Sequence, residues 1–89
     1  MKFEYDPAKS AGNKAKHGID FEEAKALWRD EKRIMIDAVY KTEPRSLVIG
    51  SIDGVCWVAV VTCRLEAMRI ISCRRARKNE EELYAQDSY

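Results

Sequence analysis

The fold is decided by residues 46–64, which read SLVIGSIDGVCWVAVVTCR. Two runs rich in β-branched residues flank Asp53-Gly54, and this dipeptide is a strong signal for a two-residue hairpin turn. We therefore expect antiparallel strands over Ser46–Ile52 and Val55–Cys63. The second strand is apolar on both faces, so it should be central in its sheet and covered on both sides.

Further strands extend this hairpin in both directions along the chain. Arg33–Val39 is also rich in β-branched residues, and a tight turn at residues 65–67 leads from the hairpin into Met68–Arg75. Near the start of the chain, Lys2–Tyr5 alternates apolar and polar residues, which is typical of a short half-exposed strand. The sequence therefore predicts a four- to five-stranded, mainly antiparallel sheet.

Helices are predicted before and after these strands in the sequence. Asp6-Pro7 is a start signal and Gly18 an end signal for a first helix. A stripe of small residues on this helix should let another element approach closely; it comprises Ala8, Ala11, Gly12 and Ala15. Asp20 and Glu23 form a capping box for a second helix. The last helix has a predicted inner face made of Ala76, Glu80, Leu83 and Tyr84. Together these elements predict an α+β fold, with two N-terminal helices and one C-terminal helix on the sheet.

Length and composition restrict the class of protein. Eighty-nine residues predict a single domain over residues 1–89. No apolar run is long enough to cross a bilayer, and early charged residues argue against a signal peptide. The three cysteines and one histidine lack the spacing of a metal site. We expect a cytoplasmic protein with reduced thiols, no metal, no cofactor and no membrane association.

Charge is segregated along the chain although its net value is only +1. The segment from Arg64 to Lys78 holds six basic residues and one acid, Glu66. The residues from position 80 onward carry acidic charge and no basic residue. A basic segment of this kind fits a polyanion ligand.

Arginines on the strands are candidate catalytic and phosphate-binding groups. A guanidinium group held by a strand donates two parallel hydrogen bonds to phosphate and stays charged at any working pH. A strict two-residue period predicts that Arg69, Cys73 and Arg75 share one face and that Arg74 lies on the other. The basic candidates are Arg64, Arg69, Arg74, Arg75, Arg77 and Lys78. For each one the alternative is an ion pair with a neighbouring carboxylate.

Three further residues are candidates for acid–base chemistry. His17 is the only side chain that titrates near neutrality without perturbation, although at a helix end it can simply cap carbonyl groups. Tyr84 can act as an acid, or pack in the core with its hydroxyl bonded to a partner. Glu80 can act as a base, or serve as the counter-ion of a sheet arginine.

The chain resembles the BrnT-type proteins over nearly its whole length. Two blocks carry the resemblance: Lys16–Gly18 followed by Phe21–Ala24, and later Arg69–Arg74. The departures are mild, since Tyr5 stands where tryptophan is usual and Cys73 stands where alanine is usual. Neither departure removes a charged candidate.

That resemblance implies a RelE-like fold and a ribonuclease toxin of a type II toxin–antitoxin pair, acting without metal or cofactor. It also implies a BrnA-like antitoxin that neutralises the toxin in a hetero-oligomer and makes the contacts with operator DNA. Carried onto this sequence, the ribonuclease surface would comprise Arg45, Arg64, Arg69, Arg74, Glu80 and Tyr84, with His17 as a further participant. Two alternatives stay open: an interaction module without catalysis, and a regulator that binds nucleic acid without cleaving it.

Overall fold

The computed structural model describes residues 2–41 and 43–87. The elements in chain order are β1 (Phe3–Glu4), α1 (Pro7–His17), α2 (Phe21–Ala24), a 3-10 helix (Lys25–Arg29), β2 (Ile34–Tyr40), β3 (Glu43–Ile52), β4 (Val55–Cys63), β5 (Met68–Arg75) and α3 (Lys78–Asp87). This order confirms the predicted α+β class, whereas the RelE-like assignment stays a prediction. None of the helices described here is long and apolar enough to cross a membrane.

The strands form one sheet in the order β1-β5-β4-β3-β2. β4 is the central strand, as its apolar sequence predicts. β1 runs parallel to β5 and every other pairing is antiparallel, so the sheet is mixed. The hairpin turn between β3 and β4 lies at Asp53 and Gly54, whose φ angles are 51° and 80°. Positive φ at both positions is what a type I′ turn requires.

The two faces of the sheet are covered to different extents. The first face, here the covered face, packs Val48, Ala59 and Val61 against α1, α2 and the 3-10 helix. The opposite face, here the open face, includes Leu47, Val60 and Thr62. On the open face α3 packs against β3 at one end, and the side chains of Ile49 and Val58 are fully buried. Leu47 and Val60 are only half-buried, and no other helix of the described chain covers them.

Helix α1 docks on the sheet through polar side chains, so the predicted stripe of small residues is wrong. Those small residues are exposed, and the buried residues of α1 are Ser10 and Asn13. The Asn13 amide donates to the carbonyls of Cys73 (2.8 Å) and Ile19 (2.7 Å), and its oxygen accepts from the Cys73 amide (3.2 Å). Ser10 Oγ accepts from the Phe21 amide. Asn13 thereby pairs the edge of β5 where the two-residue strand β1 has already ended.

The capping signals are confirmed, and the ends of two helices differ from expectation. Asp6 caps α1, Gly18 ends it in the left-handed conformation, and the Asp20–Glu23 capping box begins α2. α2 passes into a 3-10 helix after one turn. In α3 the predicted inner residue Leu83 is 43% exposed, because the helix is oriented by polar contacts of other side chains. Ala76 precedes α3 rather than belonging to it.

Candidate nucleic-acid interface

A β-bulge in β5 decides which arginines share a face. The register shifts between Val60 and Val61 of β4, which leaves Ile71 of β5 as an extra residue. Because the alternation of side chains is interrupted there, Arg69 and Arg74 both project from the open face. The prediction that they lie on opposite faces is wrong, since it assumed an unbroken two-residue period.

Arg45 and Arg69 flank a threonine on the open face. Arg69 is paired with Thr62, and Arg45 lies one position beyond the pair Ser46–Val61 on the next strand. Thr62 Oγ1 is buried and has no hydrogen-bond partner in the described part of the chain. Buried hydroxyl groups without a partner are uncommon. The two arginines on either side of Thr62 make this row of three side chains a candidate site for an anionic ligand. Sequence reasoning missed Thr62, because only the strand register identifies its neighbours.

Glu4 lies between two of the predicted arginines. Its Oε1 is 3.7 Å from Arg64 Nε, and its Oε2 is 3.3 Å from Arg69 Nη1. The Glu4 side chain is 39% exposed, so this carboxylate remains accessible to solvent. The parallel pairing of β1 with β5 places Glu4 opposite Arg69. Sequence reasoning also missed this residue, since nothing in the sequence indicates that pairing.

Arg74 and Glu80 form a two-fold hydrogen-bonded ion pair at the other end of the open face. Arg74 Nη1 donates to Glu80 Oε1 and Nη2 donates to Oε2, each at 2.8 Å. Glu80 also accepts from the backbone N–H of Arg77 at 2.8 Å, at the start of α3. The hydrogen bonds from Arg74 lower the pKa of Glu80 and outweigh its burial, and the same contact raises the pKa of Arg74. The counter-ion alternative for Glu80 is thus the contact that the structure contains.

Tyr84 of α3 contacts Asp30, which also bonds to Ser51 of β3. Its hydroxyl donates to Asp30 Oδ2 at 2.5 Å, and the Ser51 amide donates to the same oxygen at 2.8 Å. The hydrogen bond to Asp30 raises the pKa of Tyr84 to about 12. Burial alone would raise the pKa of Asp30, but hydrogen bonds from Tyr84 and from the Ser51 and Lys32 amides together lower it. Tyr84 is therefore a neutral donor that anchors the helix.

The remaining candidates do not join these side chains in one cluster. Arg75 lies on the covered side, with its guanidinium carbon 5.6 Å from the centre of the Trp57 ring. Arg77 and Lys78 are exposed near the start of α3. His17 ends α1, and no hydrogen bond or ion pair joins its side chain to the open-face arginines within the described residues.

Among the described residues, the cysteines and the side chains that could bind a metal form no second site. The three cysteines are free, and burial raises the pKa of Cys73 to about 12. Over residues 2–41 and 43–87, no group of three or more histidine, cysteine, aspartate or glutamate side chains is placed to hold a metal ion.

Taken together, these features define a small α+β protein whose mixed sheet has one helix-covered face and one face that carries arginines. That class suits ligands that bear phosphate groups. Over residues 5–80 the chain matches the family described as "Ribonuclease toxin, BrnT, of type II toxin-antitoxin system". The chain belongs to this family, which confirms the resemblance found in the sequence. It is therefore grouped with ribonuclease toxins, and membership implies an antitoxin protein as partner. A comparison with curated proteins gave no match.

Proposed function

We propose that this chain is a metal-independent endoribonuclease of the cytoplasm that binds RNA on the open face of its sheet. The observation that carries the proposal is the row of Arg45, Thr62 and Arg69, with Arg64 joined to it through Glu4. A BrnA-like antitoxin would neutralise the enzyme in a hetero-oligomer and would itself contact operator DNA. The BrnA-like identity of the antitoxin and its contact with operator DNA go beyond the antitoxin partner that family membership implies.

Phosphate can displace the carboxylates that now contact this row. The ion pairs of Arg45 with Glu43 and of Arg69 with Glu4 are 3.2 and 3.3 Å long and involve partly exposed carboxylates. Such exposed pairs contribute little, because water and salt screen them. A phosphodiester offers the same arginines two acceptor oxygens in the geometry that guanidinium prefers. RNA can therefore replace these two carboxylates at little energetic cost.

Glu4 is the base that this geometry supports best. In the reaction we propose, Glu4 takes the proton of a ribose 2′-hydroxyl, and the 2′-oxygen attacks the adjacent phosphorus. The bond from phosphorus to the 5′-oxygen breaks, and this oxygen takes a proton from water. The products are a 2′,3′-cyclic phosphate and a free 5′-hydroxyl. Arg64 and Arg69 lie on either side of Glu4, so once phosphate has replaced this carboxylate on Arg69 they can hold the scissile phosphate beside Glu4 and stabilise the charge of the transition state.

Arg74, Glu80 and Tyr84 have a structural role in this scheme and act neither as acid nor as base. Arg74 and Glu80 already form an ion pair with each other, and the neutral hydroxyl of Tyr84 donates to Asp30. Together they fix α3 against the sheet. His17 belongs to the helix layer on the covered side, so we assign it no chemical step.

The test compares arginines from the two faces of the sheet. Purified chain is incubated with free RNA in EDTA, and 2′,3′-cyclic phosphate ends are measured. We expect Arg45→Ala/Arg69→Ala to lower the rate by at least about 100-fold, the cost typical of losing a preorganised charge-stabilising donor. Glu4→Gln should lower it as well. Arg75→Ala is the matched control, because Arg75 lies on the other side and should leave the rate unchanged.

Two other outcomes correspond to the alternative functions. RNA that stays whole but binds the chain with steep salt dependence would support a regulator that uses the arginines without chemistry. RNA that neither binds nor breaks, together with tight binding of the antitoxin, would support an interaction module. Either result would contradict the nuclease proposal.

A further inference from the structure

The two edges of the sheet differ in how well they are closed. On one side β5 is paired by the short strand β1 and then by the Asn13 side chain, which bonds both backbone groups of Cys73. On the other side β2 pairs only with β3, and no other element of residues 2–41 and 43–87 pairs with its outer edge. β2 is seven residues long, so it presents an extended row of backbone donors and acceptors.

The outer edge of β2 has few of the devices that usually protect an edge strand, since Asp37 is its only charged residue. Its sequence is Ile34-Met-Ile-Asp-Ala-Val-Tyr40, with no lysine, proline or glycine. Met35 is 47% exposed, and Ile34 and Ile36 are half-buried. Edges of this kind pair readily with another chain unless charge, proline or a bulge prevents it. The surface is therefore suited to receive one more strand.

We propose that the outer edge of β2 receives an extended segment of the antitoxin, which becomes the sixth strand of the sheet. The proposal rests on the proposed function, since a toxin of this family needs an antitoxin. On the open face the segment would continue the apolar row of Ile34, Ile36 and Ala38, which ends beside Arg45. On the covered face Met35 and Asp37 would meet an apolar and a basic side chain respectively, because Asp37 is exposed.

The charge of Asp37 favours the antitoxin over a second copy of this chain. In an antiparallel pairing of two copies with full overlap, the central residue of the strand faces its own equivalent. That residue is Asp37, so two carboxylates would lie directly opposite each other, which is destabilising. A register that avoids this contact shortens the ladder. A groove of about 440 Å³ lies beside β2 at Asp37 and Ala38, and Pro44, Arg45, Ser46 and Cys63 also line it.

The test uses the neighbouring gene product that restores growth to cells expressing this chain. Amide hydrogen exchange at residues 34–38 should slow in the purified complex compared with the free chain. Met35→Lys should weaken the complex by at least about tenfold, because an added charge on the edge opposes strand addition. Asp37→Lys should weaken it by a similar factor, because the lysine would repel the basic side chain expected opposite Asp37. Leu83→Lys is the matched control, since Leu83 is a similarly exposed apolar residue on α3. It should leave affinity unchanged.

Several results would overturn the proposal while leaving the nuclease activity intact. These are unchanged exchange at residues 34–38 in the complex, equal effects of Met35→Lys and Leu83→Lys, or a dimer of the free chain that Met35→Lys abolishes. Failure of every neighbouring gene product to protect cells from a toxic chain would also overturn it. RNA cleavage by Met35→Lys is measured separately and should equal that of the unaltered chain, so loss of nuclease activity is distinguished from loss of antitoxin binding.

Discussion

Arg69 and Arg74 project from the same face of the sheet although they are five positions apart on one strand. An odd separation puts two residues of a regular strand on opposite faces. The bulge at Ile71 changes this, because one unpaired residue moves every later side chain of β5 to the face opposite the one that a regular strand would give it. It also keeps Cys73 in the core together with Ile70. The bulge therefore determines both the buried face and the arginine-bearing face of β5.

Deletion of Ile71 should be tolerated, since the residues on both sides keep their present faces when the strand becomes regular. We expect a loss of about 1 kcal/mol in unfolding free energy, arising from the removed half-buried side chain. Deletion of Val60 from β4 is the control. It would turn part of the central strand over and should prevent folding. Urea denaturation measures both, and equal damage by the two deletions would contradict the role of the bulge.

Asn13→Ala should destabilise the protein by about 3 kcal/mol, because it leaves the buried backbone groups of Cys73 without partners. The measurement is the free energy of unfolding in urea. Ala11→Ser, in the same helix and exposed, should change it by less than about 0.5 kcal/mol. A small effect at Asn13 would mean that water or a shift of α1 replaces these bonds.

Glu80→Gln should reduce stability at neutral pH and have less effect in acid. Because the pKa of Glu80 is lowered in the folded chain, its ion pair adds stability above the ordinary glutamate pKa of about 4.3, and this is lost as pH falls through the lowered value. We expect a difference of about 2 kcal/mol at pH 7 that shrinks towards pH 3. Glu81→Gln, at an exposed position, should show no such trend. A difference independent of pH would argue against the ion pair with Arg74.

Tyr84→Phe should separate anchoring of α3 from catalysis. Removing the hydroxyl deletes the bond to Asp30 and should lower the unfolding free energy by about 1 kcal/mol. RNA cleavage measured well below the unfolding temperature should be unchanged. A fall in rate of about 100-fold without unfolding would instead identify Tyr84 as a general acid.

The three thiols should react with a chromogenic disulfide reagent in a fixed order. Cys63 is exposed and should react first, whereas Cys56 is half-buried and its pKa is raised by burial. Cys73 should react only on unfolding, because it is buried and its pKa is about 12. Cys63→Ser should remove the fast phase. Rapid reaction of Cys73 in the folded chain would show that the edge of β5 opens.

The fold was largely predictable because local signals carry it. The turn at Asp53-Gly54 and the caps at Asp6 and Asp20 depend only on neighbouring residues, and all three are present as expected. Contacts between distant segments were not predictable. In the sequence Asn13 looks like an ordinary exposed polar residue of a helix. Only the folded chain reveals that its side chain bonds the backbone of β5 beyond the end of β1.

The candidate site was predictable in residue type but not in arrangement. A basic segment indicates a polyanion ligand, yet the faces of Arg69 and Arg74 depend on a single extra residue. Glu4 and Thr62 could not be selected, since their relevance comes from pairing with β5. Sequence alone also placed Arg75 on the same face as Arg69, whereas the bulge puts them on opposite faces.

The bond between Asn13 and Cys73 joins residues 60 positions apart in the chain. Closing so long a loop costs entropy before any contact compensates for it, so this contact should form late in folding. Substitutions at Asn13 should then accelerate unfolding and leave the folding rate nearly unchanged. The side chain would act as a latch that sets the lifetime of the native state rather than the speed at which it is reached.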